Sequence, residues 1–168
     1  MKDPEALLVL GREIENDVLA LERIVERLDA PPDRIAALAS SDPVVAAVAF
    51  GIHNYYSVCE NLMRRVATAF ENALDRSAWH RQLLARMTLD IPGVRPALIE
   101  PEVRDRLDEL RRFRHFFRNA YDRPLDPRRV AANLEVVQAI HGPWLRSIQG
   151  FLLWLGELVE RLRSEPRE

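Results

Sequence analysis

The chain has 168 residues and a formal net charge of −2, with 48% apolar and 30% charged side chains. That length suits one domain over residues 1–168, whose core could bury about 70% of the extended chain's surface. The composition excludes a disordered or collagen-like chain, and the near-balanced charge excludes a global attraction to nucleic acid or anionic membrane, so any basic site has to be local.

Residues 4–29 carry Leu7, Leu10, Ile14, Val18, Leu21, Val25 and Leu28 at intervals of three or four, which predicts a first helix with one apolar stripe. A short helix is expected over 33–39. Ser41-Asp42-Pro43 then reads as a helix start, a capping oxygen followed by proline in the first turn, and the next helix is expected to run to Leu74. Residues 77–87 form a shorter amphipathic segment, and the proline-rich stretch 90–101 suits a loop. A further helix is predicted from Pro101, with Val103, Leu107, Leu110, Phe113, Phe117 and Ala120 on its apolar side, until Asp122-Arg123-Pro124 stops it. The last helical pattern spans 130–162, with a kink or break expected at Gly142-Pro143. No segment alternates with period two and no repeat is present. The expected fold is therefore all-α, an antiparallel bundle of five to six helices with one long proline-rich connection.

Cys59 is the single cysteine, which excludes an intrachain disulfide, and the start MKDPEALL lacks the layout of a secretion signal, so a cytoplasmic chain is expected. The longest apolar run, residues 44–52, is far short of the roughly 20 residues that cross a bilayer. His53, His80 and His141 share no metal-ligand spacing with one another or with Cys59, so no metal is predicted, and the absence of a glycine-rich phosphate loop predicts no nucleotide cofactor. Cys59, among apolar neighbours, reads as a buried inert thiol.

The densest polar anomaly is RRFRHFFRNAY at residues 111–121, four arginines and a histidine without an acid. On a helix Arg114, Arg118 and Tyr121 fall at i, i+4 and i+7 and share a face, with His115 and Asn119 one turn apart beside them. Arginine binds phosphate bidentately and stabilises charge developing on phosphorus, so such a face suits RNA cleavage by its own 2′-hydroxyl, with Arg111 and Arg118 as phosphate contacts. A plainer reading pairs these arginines with Asp105, Asp108, Asp122 or Asp126 and sends the aromatic rings into the core.

The segment resembles the signature of the HEPN superfamily, an arginine and a polar residue followed by a histidine, and more closely the R-x4-H-x-Y form of HepT-like toxins, here Arg114, His115, Asn119 and Tyr121. YSVCEN at residues 56–61, Trp79-His80 with Leu83, Leu84 and Met87, Arg95-Pro96 and Leu125-Asp126 extend the resemblance over most of the chain. It implies a helical bundle that dimerises with two motif helices facing each other, acting as a metal-independent endoribonuclease toxin alongside a minimal nucleotidyltransferase antitoxin. It also implies catalytic roles for Arg114, His115, Asn119 and Tyr121, with Tyr121 open to AMP modification by that partner. The alternative for Tyr121 is a ring that ends the helix against Phe117.

One position departs from the pattern: Asn119 stands where the motif has histidine. An amide does not titrate near neutral pH and cannot take a proton as imidazole does, so acid/base work at that slot should be lost. His115 occupies the polar slot after Arg114, not the catalytic one. Two functions follow from the sequence, an RNA-cleaving toxin impaired by Asn119, and a non-catalytic HEPN protein that binds RNA or its nucleotidyltransferase partner.

Overall fold

The computed structural model describes residues 3–71, 79–119 and 124–164, the side chains of residues 79–81 excepted. Six helices make up the described residues: α1 (Pro4–Arg27), α2 (Pro32–Ala36), α3 (Pro43–Phe70), α4 (Trp79–Met87), α5 (Pro101–Arg118) and α6 (Pro127–Ser164). The all-α bundle expected from the sequence is the fold observed. Asp3 and Asp42 begin α1 and α3 by accepting the backbone N–H of Glu5 and Val44, and Asp126 accepts that of Arg128 at the start of α6. Each cap is followed by a proline whose missing N–H costs nothing in the first turn.

α1 lays Leu7, Leu10, Ile14 and Leu21 against α3 and α6, while α5 packs Val103, Leu107, Leu110 and Phe113 against the same two helices. α3 and α6 are thus the inner helices, and Tyr55, Tyr56, Met63, Trp144 and Phe151 fill the space between elements. Cys59 is fully buried there, and burial raises its thiol pKa well above the ordinary value, as suits an inert core thiol. None of the helices among the described residues is long and apolar enough to cross a membrane.

The boundaries differ from expectation in three informative places. α6 runs unbroken through Pro143. Proline removes one backbone hydrogen bond, but the helix is not broken there, and Ile140 and Trp144 are buried on either side of it. α3 stops at Phe70, short of Leu74, because Glu71 turns into extended backbone and places its carboxylate in a buried cluster. α5 ends at Arg118 with Asn119 as its C-cap, ahead of the proline stop; residues 120–123 lie outside the described residues.

The connection between α4 and α5 is tied by Arg95, one of the two buried charged residues among those described. Its Nε donates to Glu71 at 3.1 Å, Nη1 donates to the carbonyls of Leu89 and Pro96, and Nη2 donates to Glu71 and the carbonyl of Arg86. Gly93, with φ of 75°, supplies the left-handed residue that lets Ile91 and Arg95 bridge across a tight turn.

Candidate functional site

The arginine-rich turn of α5 faces α3, and the two helices complete one another. Arg114 donates from Nε to Ser57 Oγ at 3.2 Å, and its Nη1 lies 3.2 Å from Glu60 Oε2. Its guanidinium also stands over the Tyr56 ring, 5.8 Å from the centroid. Ser57 in turn donates to the carbonyl of His53, one turn earlier on α3. His53, Ser57 and Glu60 fall at i, i+4 and i+7, so they form a polar stripe on one face of the helix.

Glu60 is buried, and a buried carboxylate is tolerated when a cation and hydrogen bonds compensate its lost hydration. That requirement fixes Arg114. Its Nη2 has no partner among the described residues, and its side chain keeps 19% of its exposure, so donors remain available at the surface. Arg118, exposed one turn on, makes no hydrogen bond or ion pair among the described residues. Tyr56 lies beneath with a buried hydroxyl, and burial raises its pKa well above the usual phenol range.

The remaining candidates divide. Arg111 donates to Asp108 at 2.7 Å and Arg112 pairs with the same carboxylate at 3.1 Å, so these two follow the plainer expectation of arginines meeting nearby acids. Phe113 enters the core as that expectation required, whereas Phe116 and Phe117 are half-buried, one under the Arg129 guanidinium and the other against His53. His115 is exposed. Asn119 uses its amide on its own helix, donating from Nδ2 to the carbonyl of His115 at 2.7 Å, with His115 Nε2 at 3.5 Å. An asparagine here satisfies the last turn of α5. Tyr121 lies outside the described residues.

Sequence spacing on α5 identified Arg114, Arg118, His115 and Asn119 but missed the α3 half of the site. The available signal was Glu60, the single acid within α3, seven residues after His53 and so on the same face. Among the described residues, no group of three or more His, Cys, Asp or Glu side chains is arranged to hold a metal ion.

No curated protein and no solved structure matches the chain. The sequence model of the HepT-like protein family matches residues 47–155, a span that opens just before the polar stripe of α3, includes all of α5 and closes inside α6. Covering well over half of the sequence, and holding both helices that build the arginine face, this match places the chain in the HepT-like protein family.

Proposed function

We propose that the α3–α5 face binds RNA phosphate and that the chain is a HEPN-type toxin component, a metal-independent endoribonuclease weakened by Asn119. The observation that carries this reading is Arg114: anchored by Glu60 and Ser57, with Nη2 unpartnered among the described residues, beside an exposed Arg118. Two guanidinium groups one turn apart can hold a phosphodiester and stabilise the extra charge of a pentacoordinate phosphorus. The family resemblance adds a homodimer with two α5 faces opposed, and the exposed Phe50 ring beside His53 gives that contact an apolar component. It also adds a minimal nucleotidyltransferase as partner, attaching AMP to Tyr121; the anionic phosphodiester of AMP would compete for the same arginines.

The test is cleavage of single-stranded RNA by the purified chain, with and without EDTA, against Asn119→His. Cleavage should be weak in the natural chain, survive EDTA, and rise by about 10²–10⁴-fold in the variant. Cleavage seen only with added metal, or absent from both proteins, would sink this reading.

A second reading, a non-catalytic protein that binds RNA or the nucleotidyltransferase, is favoured by one observation: the Asn119 amide is engaged by its own helix and not turned to a substrate. RNA binding without cleavage in both proteins is its expected signature.

A further inference from the structure

His53 lies on α3 beside the arginine face, its carbonyl accepting from the same Ser57 hydroxyl that Arg114 holds. The imidazole packs between Phe50, stacked at 6.4 Å, and Phe117, at 5.3 Å, which fixes its plane. Nδ1 is buried with no hydrogen-bond partner among the described residues, while the ring as a whole is half-buried, so proton exchange with the surface has to run through Nε2. The charged groups that face it are Arg114 and Arg118 from α5 and Glu60 from its own helix.

Resting on the ribonuclease reading above, we propose that His53 is the proton acceptor of this site, in place of the imidazole that Asn119 lacks. Arg114 and Arg118 hold the phosphodiester, and His53 Nε2 takes the proton of the ribose 2′-hydroxyl. The O2′–P bond forms and the P–O5′ bond breaks. The departing O5′ takes a proton from water, giving a 5′-hydroxyl and a 2′,3′-cyclic phosphate, and the imidazolium returns its proton to the hydroxide so formed. Burial and the two guanidinium charges lower the His53 pKa from the ordinary 6.5, against a smaller opposing pull from Glu60, which keeps the base neutral at pH 7.

The experiment follows cleavage of an end-labelled single-stranded RNA oligonucleotide across pH by the full natural chain, His53→Gln and Asn119→His, with circular dichroism confirming that each is folded. The natural chain should cut slowly, with a rate that rises with pH to a plateau and a midpoint below 6.5. His53→Gln should lose about 10²-fold or more, together with that acidic limb. If His53→Gln cuts like the natural chain with the same profile, His53 is not the acceptor while the ribonuclease reading stands. An inert natural chain beside an active Asn119→His overturns it equally, since the site would then work only with the motif imidazole. Inactivity of both proteins removes the ribonuclease reading itself. Should His53→Gln fail to fold, NMR titration of His53 in the natural chain decides: its midpoint coincides with that of the rate, or the proposal falls.

Discussion

Arg95 and Arg114 each meet a buried glutamate, and only one of them is suited to meet a ligand. Arg95 is enclosed, its side chain fully buried, with every nitrogen donating to Glu71 or to a carbonyl of the connection. Arg114 faces Glu60, whose side chain is as buried as that of Glu71, but keeps part of its exposure, and its Nη2 has no partner among the described residues. Arg95 uses its donors to hold α3, α4 and the connection together. Arg114 uses only part of its set, and that part holds it still. The chemistry of an arginine–glutamate pair is the same in both places; the number of donors left unsatisfied and the route to water separate a structural tie from a candidate phosphate site.

The comparison breaks most sharply at Arg95. Arg95→Ala leaves Glu71 buried with Arg86 as its remaining ion-pair partner, and removing one member of a buried pair costs about 3–5 kcal/mol. Urea unfolding measures this, and a loss under about 1 kcal/mol would show that the cluster is not a tie at all. Arg114→Ala should cost less in stability, about 1–3 kcal/mol, because its pair is partly solvated. It should in addition weaken RNA binding and make the logarithmic salt dependence shallower by about 0.7 for each phosphate that is no longer neutralised. Equal RNA affinity in Arg114→Ala and the natural chain would erase the functional half of the contrast.

The smallest effect sharpens the site's electrostatics. His53 faces Arg114, Arg118 and Glu60; His141 faces Tyr55 and Glu22. Burial is the largest cause of a lowered pKa in both, so the unfolded chain takes up protons first as pH falls. The stability they contribute is complete above pH 6.5 and is lost as pH drops from there towards their folded values. Thermal unfolding between pH 7.5 and 5.5 should show this decline, and a combined His53→Gln and His141→Gln variant should flatten it.

Much of the fold was legible because helical spacing and aspartate–proline starts are local signals, as α1 and α3 illustrate. Pro143 did not break α6 because its rule concerns one lost hydrogen bond, whereas Ile140 and Trp144 on either side are held in the core. The end of α3 was missed for a similar reason: Glu71 leaves the helix for Arg95, 24 residues on. The site divides along the same line. Arg114 and Arg118 share a helix face and could be read from spacing, while Glu60 and Ser57 reach Arg114 across 54 and 57 residues. His53 was legible as a residue but not as a neighbour of arginines, since nothing in its own helix announces them.

The buried thiol of Cys59 adjoins Glu60 and is the only sulfhydryl in the chain. A thiol reagent can react with it only when the middle of α3 leaves the core, and burial suppresses its thiolate meanwhile. The natural protein therefore carries its own single-site reporter, whose labelling rate reads the opening free energy of the helix that anchors Arg114.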